Sequence, residues 1–334
     1  MSDAIRVGLV GFGYASKTFH APLIGGTPGM ALKAVASSDA DKVHADWPGV
    51  KVMSAPGDLL DDPDIDLVVI ATPNDTHFPL AKAALEAGKH VVVDKPFTVT
   101  LSQARELESL AKHCGRILSV FHNRRWDSDF LTVSALINEG QLGEVCYFES
   151  HFDRFRPQVR QRWREQAGPG SGIWYDLAPH LLDQVVVLFG LPVSITVDLA
   201  QLRPGAQSTD YFHAVLAYPQ RRVVLHGTLL AAAESARFIV HGSRASYIKY
   251  GLDPQEDWGY DMRDGTLTRA EGDERSQEKW LTLPGNYPAY YAAIRDALNG
   301  VGENPVPASE AIQIMTLIEL GIESARHRAT LSLV

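Results

Sequence analysis

The sequence contains very little cysteine. Cys114 and Cys146 are the only two among 334 residues and lie far apart, which excludes a disulfide framework and predicts reduced thiols in a cytoplasmic protein. No apolar run reaches the roughly 18 residues of a transmembrane helix, so no membrane span is predicted. The first predicted strand begins within a few residues of Met1, which leaves no room for a signal peptide.

An excess of basic charge is also missing. The chain has 31 Lys and Arg against 40 Asp and Glu, a net charge of −9, so nucleic acids and membrane surfaces are not expected partners. No Cys/His set has the spacing of metal ligands, and no metal is predicted. The chain does have 45% hydrophobic and 21% charged residues, which is typical of a globular protein with room for two domains.

Strand and helix patterns alternate through the first third of the chain. Short apolar strands are predicted at Ile5–Val10, Ala31–Ala36, Leu67–Ile70, His90–Val93 and Ile117–Phe121. Helices are predicted between them, one starting at a Thr100–Gln103 capping box and one that Asn74 or Asp75 would cap. This alternation predicts an α/β fold in which residues 1–122 form an N-terminal Rossmann domain, a doubly wound parallel sheet.

A glycine-rich turn follows the first predicted strand and leads into a predicted helix that ends near Leu23. The turn reads Gly11-Phe12-Gly13-Tyr14-Ala15-Ser16. Gly11 permits the tight turn, and Gly13 has no Cβ, so a pyrophosphate can approach the backbone and the helix N-terminus. Because this G-x-G-x-x-small pattern lies between a strand and a helix, it predicts a dinucleotide site, with the first five residues of the turn as cofactor contacts.

The end of the second predicted strand bears on the choice of cofactor. In NAD-binding domains an acidic residue usually ends this strand and holds the ribose 2′-hydroxyl. Here the strand ends in Ser37 and Ser38, which would not repel a 2′-phosphate, and Lys42 or Lys17 could add positive charge. NADP is therefore favoured over NAD. In the rival interpretation Asp39 binds the ribose and the cofactor is NAD.

Two further loops follow central strands of the predicted sheet. The first contains Thr72, Pro73, Asn74 and His77, and the second reads Asp94-Lys95-Pro96. Open α/β sheets bind ligands at the carboxyl ends of their strands, so both loops are expected at the cofactor. Lys95 is predicted to lie between the cofactor and the substrate.

The pattern changes after residue 122. A long strand is predicted at Val145–Asp153, and several short strands follow one another between about 195 and 250 without intervening helices. This predicts a second domain over residues 123–334, an α+β domain with a large, mostly antiparallel sheet. Two helices, near 287–298 and 308–324, are predicted to finish it.

Asp176 and His180 form the strongest chemical pattern of the second half. A helix is predicted over about 174–188, and residues four apart on a helix lie about 40° apart on one face. A carboxylate beside an imidazole fixes its tautomer and favours its protonation, which makes a proton acceptor for a hydroxyl group near neutral pH. A surface ion pair or a structural hydrogen bond is the alternative that the spacing leaves open.

Four motifs occur in one order along nearly the whole chain. They are Gly11-Phe12-Gly13, Thr72-Pro73-Asn74 with His77, Gly88-Lys89-His90-Val91 through Asp94-Lys95-Pro96, and Asp176 with His180. Together they resemble the Gfo/Idh/MocA family, which includes glucose–fructose oxidoreductase and inositol dehydrogenase. The stretches Asn123–Asp127 and Phe152–Pro157 resemble a narrower branch that includes NADP-dependent scyllo-inositol dehydrogenases.

The resemblance implies an NAD(P)-dependent oxidoreductase acting on a secondary alcohol of a cyclic polyol or sugar, with scyllo-inositol-like substrates favoured. Lys95 matches the family lysine that contacts the substrate hydroxyl and the nicotinamide ribose, and its bond to Pro96 is often cis in the family. Asp94 replaces the usual glutamate. Asp176 and His180 match the catalytic aspartate and histidine, so His180 would be the base in oxidation and the acid in reduction.

Two polar and aromatic clusters fit substrate binding, because a polyol needs hydroxyl partners and an apolar platform. One contains His122, Asn123, Arg124 and Trp126, and the other contains Asp153, Arg154, Arg156, Arg160 and Trp163. Lys95, Asp176 and His180 complete the predicted substrate contacts. Structural salt bridges are the alternative for any one arginine, and several arginines together could instead indicate a carboxylated or phosphorylated sugar.

Other functions stay open. They are a reductase of another keto or anhydro sugar, a redox-assisted glycosidase and a non-catalytic dinucleotide-sensing regulator, against which the presence of Lys95, Asp176 and His180 counts. The outer face of the C-terminal sheet is expected to form a homodimer or homotetramer, as in members of the family. Tyr291 is expected to pack in the core, with substrate contact as the alternative, and His20 is expected to be structural or exposed.

Overall fold

The computed structural model describes residues 4–251, 257–261 and 263–333. The chain divides into two compact units. Residues 1–123 and 287–315 form the first unit, and residues 124–286 and 316–334 form the second. Residues 287–315, which the predicted boundary after 122 placed in the C-terminal domain, therefore belong to the first unit.

The first unit is built on a six-stranded sheet whose strand pairings are all parallel. Its strands are β1 (Ile5–Val10), β2 (Met30–Ala36), β3 (Lys51–Met53), β4 (Leu67–Ile70), β5 (His90–Asp94) and β6 (Leu118–Phe121). The spatial order is β3-β2-β1-β4-β5-β6, so the strand order reverses between β1 and β4. This is the order of a Rossmann domain, and the predicted doubly wound sheet is confirmed.

Helices connect these strands. They are α1 (Ala21–Gly26), α2 (Ala40–Asp46), α3 (Pro56–Leu60), α4 (His77–Glu86) and α5 (Leu101–Cys114). A π-helical turn over Ser16–His20 precedes α1, a geometry that is frequent at functional sites. The predicted capping box of α5 is confirmed. The capping prediction for α4 is wrong, because a 3₁₀ turn places Thr76 rather than Asn74 or Asp75 at its N-cap position.

The second unit contains a nine-stranded sheet. Its strands are β7 (Val145–Asp153), β8 (Ser194–Ala200), β9 (Tyr211–Tyr218), β10 (Arg221–Thr228), β11 (Ala236–Gly242), β12 (Ala245–Tyr250), β13 (Gly265–Glu271), β14 (Glu274–Trp280) and β15 (Leu331–Ser332). Every pairing is antiparallel except that of β7 with β10, so the predicted mostly antiparallel sheet is confirmed. The last three strands, β13 to β15, were not predicted. For β14 the reason is that its residues are almost all polar and exposed and show no alternation.

The remaining helices are α6 (Ser128–Asn138), α7 (Gly172–Asp176), α8 (Ala178–Phe189), α9 (Pro288–Leu298) and α10 (Ala308–His327). The single helix predicted over 174–188 is therefore two helices separated by Leu177. Pro179 explains the break, since it has no N–H and its ring would clash with the carbonyl four residues earlier, whereas the first turn of a new helix accepts it. Among the described residues no helix has the length and apolar character needed to cross a membrane.

Candidate active site

A cleft of about 780 Å³ lies at the carboxyl ends of β1, β2 and β4, where the strand order of the first sheet reverses. Open α/β sheets bind dinucleotides at this position. The predicted cofactor contacts that line the cleft are Gly11, Phe12, Gly13, Ser37, Ser38, Thr72 and Pro73. Asp39 and Lys42 line it too, as do Ser54 and Pro56, which were not predicted.

The two glycines of the first turn suit a dinucleotide for different reasons. Gly11 has a φ of +89°, and a Cβ there would lie 2.7 Å from the carbonyl oxygen of Ala71, so no other residue fits. A Cβ on Gly13 would meet nothing within 4 Å, because this backbone faces the open cleft. The Ser16 hydroxyl donates to the Gly11 carbonyl at 2.9 Å and closes the turn. The cradle therefore fits a pyrophosphate held against bare backbone.

The far end of the cleft is polar. Asp39 caps α2, because its Oδ1 accepts a hydrogen bond from the Lys42 backbone N–H at 3.0 Å. Lys17, one of the two predicted cations, pairs with Asp46 through an Nζ–Oδ2 distance of 2.9 Å. The polar groups that line this end of the cleft and suit a ribose 2′-substituent are those of Ser37, Ser38 and Lys42.

Six predicted cofactor contacts lie outside the lining of this cleft. They are Tyr14, Ala15, Asn74, His77, Asp94 and Lys95. Tyr14 is 58% exposed and sets its ring edge-on to Phe19, with 5.9 Å between the centroids. Asn74 is buried within the 3₁₀ turn that precedes α4. The cleft alone therefore gives no support to contacts between these six side chains and the cofactor.

His77 joins the turn after β4 to the turn after β5. Its Nδ1 lies 2.8 Å from the Pro96 carbonyl oxygen, and its Nε2 lies 3.0 Å from that of Thr72. Burial lowers the pKa of His77, although the charge of Asp94 and hydrogen bonds to backbone oxygens act in the opposite direction. A neutral, fully buried imidazole between two loops supports a structural role for His77, which orders the turn that contains Lys95.

Asp94 holds the backbone of Lys95. Its Oδ1 accepts the Lys95 N–H at 2.7 Å, and its Oδ2 lies 3.8 Å from Nε2 of His20. Nδ1 of His20 is 2.7 Å from the hydroxyl oxygen of Tyr291, and both side chains are fully buried. The bond between Lys95 and Pro96 is cis, as the resemblance implied. The aspartate that replaces the family's glutamate thus ties the lysine to a buried polar network of the same unit.

The charge state of this network follows from its contacts. Burial by itself would raise the pKa of Asp94, but the nearby His20 and the charge of Lys95 outweigh it, and the pKa is lowered. Burial raises the pKa of Tyr291 well above 10.0. At neutral pH the network therefore contains a carboxylate and a neutral phenol, and the anion lies beside the backbone of the lysine.

Asp176 and His180 occupy different environments in the second unit. Asp176 ends α7 and is half-buried, and its Oδ1 lies 3.4 Å from Nε of Arg164. His180 lies in the first turn of α8, is 3% exposed and sets its ring edge-on to Phe152, with 6.1 Å between the centroids. The predicted same-helix geometry of the pair is wrong, because the two residues lie on separate helices.

The segment between β7 and α7 holds the second predicted cluster. Glu165, which was not predicted, accepts hydrogen bonds from the Arg160 backbone N–H at 3.0 Å and from Nε of Arg162 at 2.7 Å. The guanidinium of Arg164 lies 4.4 Å from the ring centroid of Trp163, and that of Arg154 lies 5.9 Å from Phe152. A small cavity lies among Arg162, Arg164, Asp176 and Arg203.

The cluster around residue 124 is buried. His122, Asn123 and Arg124 are each 2% exposed, and Trp126 is half-buried. Nη1 of Arg124 lies 3.1 Å from Oδ2 of Asp127, which is itself fully buried. The buried ion pair agrees with the alternative of a structural salt bridge, and it gives no support to substrate contact by this arginine.

Asp153 lies on the opposite face of β7 from Phe152, since side chains alternate along a strand. Its carboxylate oxygens lie 3.0 Å from Nδ1 of His151 and 2.8 Å from Nδ1 of His226. Burial would raise the pKa of Asp153, but these hydrogen bonds hold it far below its ordinary value. Sequence spacing did not reveal this His/Asp group, whose possible metal-ligating atoms lie within 4.8 Å of one another, because His226 comes from another strand. This position gives no support to the predicted substrate contact of Asp153.

Two family models match consecutive parts of the chain. The model described as "Oxidoreductase family, NAD-binding Rossmann fold" matches residues 5–122. The model described as "Oxidoreductase family, C-terminal alpha/beta domain" matches residues 134–333. The dinucleotide-binding fold that the cleft and its glycines indicated is thereby confirmed.

Individual proteins agree with this assignment. The chain is 78% identical to the uncharacterized oxidoreductase YdgJ of Escherichia coli, over all of both chains. It is 36% identical to the scyllo-inositol 2-dehydrogenase (NADP(+)) IolW of Bacillus subtilis, over 99% of this chain and 96% of the relative. A solved oxidoreductase structure from Yersinia pestis superposes with a TM-score of 0.96 at 65% identity, over 100% of this chain and 98% of that one.

Proposed function

Because the chain belongs to the Gfo/Idh/MocA family of oxidoreductases, we propose that it transfers a hydride between a nicotinamide dinucleotide and a secondary alcohol or ketone of a cyclic polyol or sugar. One observation carries the proposal: the glycine-lined cleft at the switch point of the first sheet, with Lys95 following the neighbouring strand β5. When bound, the nicotinamide ring accepts or supplies the hydride. IolW is named for scyllo-inositol, which is therefore the favoured compound to test first.

The chain's own residues supply position, charge and a proton. We assign to Lys95 a hydrogen bond to the reacting oxygen, which stabilises the negative charge that develops there. Asp94 and His77 hold the turn that carries this lysine, so little reorganisation is needed during the reaction. We assign proton transfer to His180, as base in oxidation and acid in reduction, with Asp176 as the carboxylate that acts with it.

We propose NADP as the preferred cofactor. Ser37, Ser38 and Lys42 line the end of the cleft suited to the ribose 2′-position, and their hydroxyls and ammonium would hold a phosphate. Asp39, the residue that would favour NAD, already accepts a hydrogen bond in capping α2. The name of IolW, scyllo-inositol 2-dehydrogenase (NADP(+)), supports the same choice.

We also propose a cytoplasmic homodimer or homotetramer that forms through the open face of the nine-stranded sheet. Half-buried aromatic side chains such as Tyr147, Tyr211 and His241 lie on this face, and a partner subunit would cover them. Light scattering after gel filtration is expected to give the mass of two or four chains of 36.6 kDa. A monomer at micromolar concentration would contradict this assembly.

The experiment that tests the proposed reaction is a substrate panel. Inositols, sugars and keto or anhydro sugars are each incubated with the purified protein and NADP(H) or NAD(H), and the nicotinamide absorbance is followed. We expect turnover of at least one cyclic polyol or sugar, faster with the NADP pair. An enzyme that reduces only keto or anhydro sugars would be the alternative function, and a 1,5-anhydro-D-fructose reductase of Ensifer adhaerens is 27% identical over 92% of both chains.

Two outcomes would contradict a dehydrogenase. Cofactor binding without turnover of any compound would indicate a dinucleotide-sensing regulator. Cleavage of a glycoside without net change in nicotinamide absorbance would indicate a redox-assisted glycosidase.

A further inference from the structure

The stretch from Arg154 to Arg164 has an unusual charge. It contains five arginines and no acidic residue, in a chain whose net charge is −9. The fold brings a sixth arginine, Arg203, to the same place, where it pairs with Glu165. A local excess of positive charge in an acidic protein needs a partner, because like charges that are held together in a partly buried site destabilise one another.

Three carboxylates of the described residues pair with arginines of this region. Glu165 pairs with Arg162 at 2.7 Å and with Arg203 at 3.0 Å, and Asp210 also pairs with Arg203 at 3.0 Å. Asp176 lies 3.4 Å from Arg164. Glu165 and Asp210 are both buried, so their negative charges are compensated by these arginines within the second unit.

Arg156 is the arginine whose position matters most. Its backbone N–H donates to the Leu229 carbonyl at 2.7 Å, and its own carbonyl accepts from Nη1 of Arg203 at 3.0 Å, so its backbone is fixed against the sheet. The side chain is half-buried. Among the residues that the structure describes, no carboxylate forms an ion pair with its guanidinium within 4.0 Å. Arg156 is therefore a cation on a fixed backbone, and no ion pair to it occurs within the described part of the chain.

The electrostatic surroundings of Arg156 agree with that description. Burial lowers the pKa of its guanidinium, and the positive charges of Arg154, Arg162 and Arg160 lower it further, while Asp176 acts in the opposite direction. The carboxylate of Asp176, which we assign to the reaction, therefore influences the charge of Arg156, and both residues belong to the second unit.

A bound anion would relieve this imbalance, and a neutral polyol would not. A guanidinium presents paired N–H donors that match a carboxylate or a phosphate, and such charge-assisted pairs are about twice as strong as neutral hydrogen bonds. Hydroxyl groups can satisfy the donors but leave the charge uncompensated. Resting on the proposed function, we infer that the polyol or sugar handled by this site carries a carboxylate or phosphate group, and that Arg156 binds that group.

Matched substrate pairs test this inference. The protein is assayed with a sugar and its uronic acid, and with an inositol and its monophosphate, which separates carboxylate from phosphate. We expect kcat/KM to favour one anionic member at least tenfold. Arg156→Gln should raise KM for that member about 10- to 100-fold, with little change for its neutral counterpart. Arg275→Gln, an exposed arginine on β14, is the matched control.

A binding measurement decides the point without turnover. Inorganic phosphate is titrated by calorimetry into protein saturated with NADP, so that the cofactor's own phosphate sites are filled. We expect binding that weakens at least tenfold in Arg156→Gln and is unchanged in Arg275→Gln. Two results would overturn the inference and leave the proposed function standing. One is turnover of the neutral substrates that equals or exceeds that of their anionic counterparts. The other is phosphate binding that is unchanged in Arg156→Gln. If the wild-type protein turned over none of the compounds but bound phosphate in an Arg156-dependent way, the result would instead count against the proposed reaction.

Discussion

The first unit forms its candidate site from the ends of strands that follow one another closely in the chain, whereas the second forms its candidate site from side chains of scattered origin. The cleft in the first unit is lined by the turns after β1, β2 and β4. The absence of side chains at Gly11 and Gly13 shapes this cleft. In the second unit Asp176 comes from α7, Arg164 from a 3₁₀ turn over Trp163–Glu165, and Arg203 from the loop between β8 and β9.

The difference shows how each site gains rigidity. A backbone cradle is positioned by strand pairing, and its geometry tolerates little variation at Gly11, where a Cβ would collide with the Ala71 carbonyl. A side-chain cluster is positioned by ion pairs such as those of Glu165, which cost desolvation and must be complete to stabilise the fold. The first site should therefore respond to changes of shape, and the second to changes of charge.

The largest effects are expected at the two residues to which the proposed reaction assigns charge stabilisation and proton transfer. Lys95→Met and His180→Asn should each lower kcat by about 10³-fold, because each removes charge stabilisation or proton transfer in the transition state. Both variants should still bind NADP, as measured by fluorescence. The double variant should be little worse than either single one if both residues serve one step.

Lys112→Met, on the exposed face of α5, is the control for these variants. Near-normal turnover in both single variants would refute the assigned roles.

A smaller effect is expected from the network behind the lysine. Asp94→Asn keeps an acceptor for the Lys95 N–H but removes the negative charge beside His20, and we expect kcat to fall about 10- to 100-fold through misplacement of the lysine. Asp94→Glu, the family's residue, should recover part of the loss. Asp64→Asn, an exposed aspartate of the same unit, should change nothing. A fall in NADP affinity equal to the fall in kcat would mean that the network serves the fold alone.

Cofactor preference is expected to shift by about tenfold. Ser38→Asp places a negative charge at the end of β2 and should lower kcat/KM for NADP while sparing NAD. Lys42→Gln should act in the same direction through loss of a phosphate partner. Lys17→Gln is the control, because Lys17 pairs with Asp46. An unchanged ratio of NADP to NAD in both variants would show that the 2′-phosphate lies elsewhere.

The smallest expected effect concerns pH and the outer face of the second sheet. Burial by itself would lower the pKa of His151, but its hydrogen bonds to Asp153 and Glu149 outweigh burial and raise that pKa above 6.5. Its stabilising contribution should be complete below pH 6.5 and disappear as the pH rises through the raised value. The Tm difference between wild type and His151→Gln should therefore shrink by about 1–3 °C between pH 6 and pH 9.

Local patterns predicted the elements well where one physical cause acted alone. The alternation of apolar runs located most strands of both sheets, and the capping box placed the start of α5. The break that Pro179 causes at Leu177 was not predicted, because the apolar spacing continues across it. β14 was missed because an edge strand with almost all side chains in water has no alternation to detect.

By itself the sequence determined the Rossmann turn and the lysine that follows β5, because each depends on residues close together in the chain. Only the tertiary structure decided which charges are compensated. His20 meets Tyr291 across 271 residues, and Arg203 takes the carboxylates of Glu165 and Asp210. Such pairs form only after distant segments pack. Spacing along the chain therefore could not predict that Arg156 has no ion pair among the described residues.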